Sequence, residues 1–153
     1  MPQDQDTTDS LELSIHRVFD APREKVWKAW TDPEEMKQWS APKNLTVPVS
    51  EGELKPGGYW KAVMLDPDGA RLPLGGVYRE IVPPERLVFT HAWLDESNNP
   101  GPETVCTVIL QEAGKTTEMT FRQTGFTSSG SRDGHEGGWT ECFDKLAHLL
   151  ESA

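Results

Sequence analysis

Apolar and polar residues alternate from Leu11 to His16, with Leu11, Leu13 and Ile15 set against Glu12, Ser14 and His16. A period of two marks a half-buried strand. The pattern then changes. In "DAPREKVWKAWTDPEEMKQW", Val26, Ala29 and Trp30 fall on one helical stripe, with Trp27 at its edge. Asp20 is a candidate cap, and Pro22 suits the first helical turn. Asp32-Pro33 repeats the start signal and predicts a second short helix ending at Trp39. A run of strands follows: "LTVPVSEGEL", "YWKAVML", "GGVYREIV", "RLVFTHAWL", "ETVCTVILQE" and "TTEMTFRQTGF". Turn chemistry separates them at Pro56-Gly57-Gly58, at "DPDG", at Pro83-Pro84, at "ESNNPGP" and at Ala113-Gly114-Lys115.

"TSSGSRDG" is polar and glycine-rich and reads as an irregular connection. After it the helical period takes over. His135, Gly138, Trp139, Cys142, Phe143, Leu146, Leu149 and Leu150 fall in one arc; Glu136, Thr140, Glu141, Asp144, Lys145 and Glu151 fall outside it. The helix is expected to begin between His135 and Gly138. The fold class is therefore α+β: a strand, two short helices, a meander of about six more antiparallel strands, and one long C-terminal helix to cover a curved sheet. Residues 1–10 are expected to form a disordered acidic tail, and residues 11–153 a single domain.

Composition narrows the function classes. The net charge of −10 repels a phosphate backbone and an anionic membrane, so neither nucleic acid nor membrane is an expected partner. No apolar run approaches the roughly 20 residues of a membrane span, and the N-terminus lacks a secretory pattern. The expected location is the cytoplasm, and the expected state a monomer or homodimer. Cys106 and Cys142 form no C-x-x-C and have no metal-spaced histidines nearby, which predicts buried free thiols and no metal or cofactor. No G-x-S-x-G elbow, phosphate loop or paired-carboxylate arrangement is present, and Gly57-Gly58 and Gly75-Gly76 read as strand-edge turns. No catalytic residue is assigned, and whether the chain is an enzyme stays open.

Six tryptophans remain to be placed. Each glycine inside a helix costs about 0.8–1.0 kcal/mol relative to alanine. Gly138 nevertheless lies on the inward arc beside Trp139, where a missing side chain either admits the sheet closely or leaves space. One helix across a curved sheet leaves part of the concavity unfilled. The wall would come from Trp39 at the end of the second helix, from one of Tyr59 and Trp60, and from His91 and Trp93 on the face of Leu87 and Phe89. Aromatics at such periods are core by default; the glycine favours a hollow. The candidate ligand-binding residues are Trp39, Trp60, Tyr78, His91, Trp93, Cys106, Phe121, His135, Trp139 and Phe143. Arg79 is expected outside, with Tyr78 inside. His16 and His148 are expected in solvent.

"RVFDAPREKVWKAWTDPEEMKQW", "ELKPGGYW", "PDG", "YREIVPPERLVFT", "TVIL" and "GHEGGWTECFDKLAHLL", in that order, resemble the START-like superfamily with the helix-grip fold. More narrowly, they resemble its branch related to the C-terminal domain of the activator of heat-shock protein 90 ATPase. The resemblance covers about Leu11 to Leu150. It implies a sheet gripping the C-terminal helix around a deep cavity. Members of the superfamily include lipid and hormone binders, polyketide cyclases and an antibiotic-resistance protein. The leading expectation is binding of a small hydrophobic or aromatic molecule in that cavity. One alternative is a chaperone-associated stress-response module. Another is a cyclase or hydrolase using a cavity histidine, His91 or His135.

Overall fold

The computed structural model describes residues 11–151. The tail expected at residues 1–10 lies outside the described residues. β1 (Leu13–Phe19) is followed by α1 (Arg23–Thr31) and α2 (Pro33–Trp39). Six strands come next: β2 (Thr46–Gly52), β3 (Tyr59–Leu65), β4 (Arg71–Val82), β5 (Arg86–Trp93), β6 (Thr104–Ala113) and β7 (Thr116–Thr124). α3 (Ser129–Glu151) ends the described chain. The strands form one antiparallel sheet in the order β1-β7-β6-β5-β4-β3-β2. β1 and β2 thus occupy opposite edges, although only the two short helices separate them in the chain. This is the expected α+β helix-grip architecture.

Local chemistry accounts for most element ends. The β3–β4 turn is held by the Asp66 carboxylate, which accepts from the N–H groups of Asp68 and Ala70 at 2.9 Å each. Gly69 supplies the left-handed backbone there, with φ of +88°. Asp32 caps α2 by accepting from Glu34 N–H at 2.9 Å, with Pro33 at the first position. Asp20 does not cap α1. Its position is taken by Pro22, and the Asp20 N–H instead donates to Glu151 at 3.1 Å.

The sequence expectation differs from the structure in two places that matter later. α3 begins at Ser129, so "TSSGSRDG" is largely helix. Ser128 makes this possible: its hydroxyl accepts from Ser131 N–H at 3.1 Å, and its carbonyl accepts from Arg132 N–H at 3.1 Å. Gly75 and Gly76 lie within β4 and are not at a turn. A Cβ at Gly76 would sit 2.0 Å from the Thr90 carbonyl oxygen, so only glycine allows β4 to approach β5 there.

Hydrophobic packing divides into two clusters. The larger joins the inner face of α3, through Cys142, Phe143, Leu146 and Leu150, to Leu13, Val108, Leu110, Met119, Phe121 and α1. The smaller lies at the other end of the sheet and contains Ala41, Val47, Ala62, Met64 and Leu74. Trp60 packs against both.

Candidate functional site

Between the two clusters packing stops. A cavity of about 490 Å³ opens there, walled by α2, by the inner faces of β3, β4 and β5, and by the first half of α3. Its surface is predominantly apolar. Five of the six tryptophans line it: Trp30, Trp39, Trp60, Trp93 and Trp139. Trp39, Trp60, Tyr78, His91, Trp93, His135 and Trp139, all singled out from the sequence, are brought together on this wall. Cys106, Phe121 and Phe143 are not. Each is 0% exposed in the larger cluster, where its side chain packs the sheet to α1 and α3.

The cavity owes part of its shape to α3. Gly130, Gly134 and Gly138 recur every four residues, share one helical face, and all line it. A Cβ at Gly134 would meet nothing within 4 Å, and one at Gly138 would only touch Pro42 at 3.4 Å. These glycines are therefore not demanded by a close approach of the sheet. Their missing side chains leave volume. Gly137 is exposed and faces away from the cavity.

Hydrogen bonds fix three of the indoles, whereas the buried Trp30 N–H has no partner among the described residues. Trp39 donates to the Ala29 carbonyl at 2.9 Å, and Trp60 to the Thr90 carbonyl at 2.8 Å, beside the β4 constriction at Gly76. Trp139 donates to the Gln123 side-chain oxygen at 2.8 Å. The Gln123 amide in turn donates to Thr104 Oγ1 at 2.8 Å, and Thr104 donates to the His91 carbonyl at 3.0 Å. This buried polar chain ties α3, β7, β6 and β5 together behind the wall. Trp30 sits at the centre of the ring cluster, edge-on to Trp39 at 4.7 Å and near Phe89, Phe121, Trp139 and Phe143.

His91 is 4% exposed and meets His135 edge to face, with ring centroids 5.7 Å apart. Burial, together with repulsion from a charged His135, lowers its pKa to about 3. His91 is thus a neutral part of the wall. His135 places Nδ1 2.7 Å from the Ser131 carbonyl, which assigns the proton of the neutral ring to Nδ1. The two histidines, with Trp93 and Ser131, also line an adjacent pocket of about 70 Å³ and form the partition between the two spaces. The Tyr78 hydroxyl makes no hydrogen bond among the described residues, and burial raises its pKa. Burial also raises both thiols, Cys142 to about 12, so they are protonated and unreactive as nucleophiles. Among the described residues no group of three or more His, Cys, Asp or Glu could hold a metal ion.

Several wall and support residues escaped the sequence reading. Trp30 was legible only as a core residue of α1. Gln123 carried a usable signal: it continues the inward alternation of Met119 and Phe121, so it is a polar residue on an apolar face. Arg79 and Glu80 both point outward because a register shift between Tyr78 and Glu80 interrupts the alternation.

Fold and hollow together define a helix-grip protein with a space enclosed between sheet and helix. The family model described as "Activator of Hsp90 ATPase homolog 1-like protein" matches residues 20–151, and the chain belongs to that family. No curated protein matches it at a significant level. Among solved structures, a Chromobacterium violaceum protein is similar with 28% identity and a TM-score of 0.84, over 92% of this chain and 97% of that one. An Arthrobacter aurescens protein shows 28% identity and a TM-score of 0.84, over 95% and 89%. A Silicibacter pomeroyi protein, described as AHSA1, shows 27% identity and a TM-score of 0.81, over 91% and 96%. No helix among the described residues is long and apolar enough to cross a membrane.

Proposed function

We propose that this protein binds a small hydrophobic or aromatic molecule between its sheet and α3. One observation carries the reading: a hollow of about 490 Å³ lined by five indoles, in a place where both hydrophobic clusters stop short of each other. Small-molecule sites typically span about 300–1,000 Å³ with apolar walls and a few placed polar groups. Trp39, Trp60 and Trp139 supply rigid rings already anchored by their own N–H bonds. Tyr78 supplies a hydroxyl able to donate and accept. Trp93 and Leu54, 41% and 46% exposed, stand at the mouth. Titrating a panel of neutral aromatic compounds against tryptophan emission tests the reading. A saturable shift that is lost in Ala62→Phe, which crowds the hollow, supports it. No shift with any compound overturns it.

Membership of the family named for activation of the Hsp90 ATPase favours a second reading, association with a chaperone. Its test is stimulation of a chaperone ATPase by the purified chain. The cyclase or hydrolase reading has less support. A histidine with a pKa of about 3 is a poor proton acceptor near neutral pH, so His91 fits a wall better than a general base.

A further inference from the structure

The inference here rests on the binding reading above and concerns the charge of the molecule bound. The cavity wall contains no lysine and no arginine. Its one carboxylate is Glu51, an exposed residue on β2 that accepts from the Tyr59 hydroxyl at 3.2 Å. The other polar groups on the wall are the hydroxyls of Thr31, Ser40, Ser50, Ser131 and Tyr78, the rings of His91 and His135, the Cys142 thiol and the indole N–H groups, of which the buried Trp30 N–H has no partner among the described residues. The cation behind the wall is Lys145, whose Nζ is spent on the carbonyls of Pro42 and Leu45 at 3.0 and 3.1 Å. The first turn of α3 also meets the cavity, at Gly130 and Ser131, and its positive end would favour an anion. That pull is modest. Ser128 already engages the N–H groups of Ser131 and Arg132.

We propose that this cavity selects uncharged molecules and excludes carboxylates and phosphates of the same shape. Sites that take buried anions supply Arg, Lys or several converging N–H donors, because a bound carboxylate stripped of water needs a charged or multiple hydrogen-bond partner. Here an anion carried inward meets indole and aliphatic surface, and an anion left at the mouth meets Glu51. A neutral carbonyl, amide or hydroxyl loses much less on desolvation. The Tyr78 hydroxyl, without a partner among the described residues, gives such a group a hydrogen bond.

The test compares matched amide and carboxylate pairs built on naphthyl, biphenyl and decyl groups. Within a pair the two compounds have nearly the same shape and differ in charge near neutral pH. Calorimetric titration of the full chain is expected to show each binding amide at least about tenfold tighter than its carboxylate, since an unpaired buried charge is costly. Glu51→Lys, which puts a cation at the mouth, is expected to raise carboxylate affinity and narrow that ratio. Equal affinities, or tighter carboxylates, overturn the proposal while leaving the binding reading intact. A ratio unmoved in Glu51→Lys shows that charge is not what discriminates, and it also overturns the proposal. If no compound of any pair binds, the binding reading fails and takes this inference with it.

Discussion

At Gln123 and His91 burial works against chemistry. Gln123 is 0% exposed and stays satisfied only because Trp139 donates to it and it donates to Thr104. Gln123→Leu strips both partners and leaves the Trp139 N–H without its acceptor. A loss of about 1–3 kcal/mol in urea unfolding is expected, the usual cost of orphaning buried polar groups. His91 makes a pH prediction. Its folded pKa of about 3 lies below the ordinary 6.5, so between those values the unfolded chain binds a proton that the folded chain does not. Stability from this residue is complete above pH 6.5 and falls with pH below it, by about 1.4 kcal/mol per unit. Between about pH 7 and about pH 4.5, the native chain should lose about 2–3 kcal/mol more than His91→Gln, measured by urea unfolding at both values.

At the scale of an element, α3 is one helix with two tasks. From Cys142 onward its inner face carries Cys142, Phe143, Leu146 and Leu150, all buried, and grips the sheet. Before Cys142 the same face carries glycines and walls a void. Separate substitutions should resolve the two. Gly137→Ala, on the outer face, and Gly134→Ala should each raise stability by about 0.5–1 kcal/mol, since neither new methyl meets an obstacle. Gly134→Leu should also fold well but project into the hollow, weakening ligand binding by tenfold or more while Gly137→Ala leaves it unchanged. Thermal melts and the emission titration together check this. If Gly134→Leu binds as the native chain does, the glycine face is not part of the wall.

For the whole molecule, a guest in the hollow would join two hydrophobic clusters that otherwise meet mainly through Trp60. Ligand binding to the folded state alone adds about 2.7 kcal/mol at a free concentration a hundred times the Kd. In a chain of 153 residues that corresponds to a rise in Tm of about 5–10 °C. A compound that shifts tryptophan emission yet leaves the melt unmoved at saturation would be binding outside the hollow, or to the unfolded chain as well.

The amino-acid sequence by itself determined the order of elements, the hairpins and the buried side of β1, β5, β6, β7 and α3. Period, turn residues and caps act over a few positions, and a reader needs only neighbours to see them. It also put Tyr59 and Trp60 on opposite faces, because adjacent strand residues point opposite ways; the tertiary structure turned Trp60 inward. The tertiary structure alone decided which inward residues pack and which line a void. Phe121, Phe143 and Trp139 share one inner surface, yet only Trp139 reaches the cavity. The early start of α3 was hidden because glycine and serine favour a loop locally, and the Ser128 cap overrides them here. The polar chain from Trp139 to His91 joins residues from three strands and a helix. No local pattern encodes it; the curvature of the sheet sets how far α3 stands from β3 and β4, and that distance separates a packed interior from an open one.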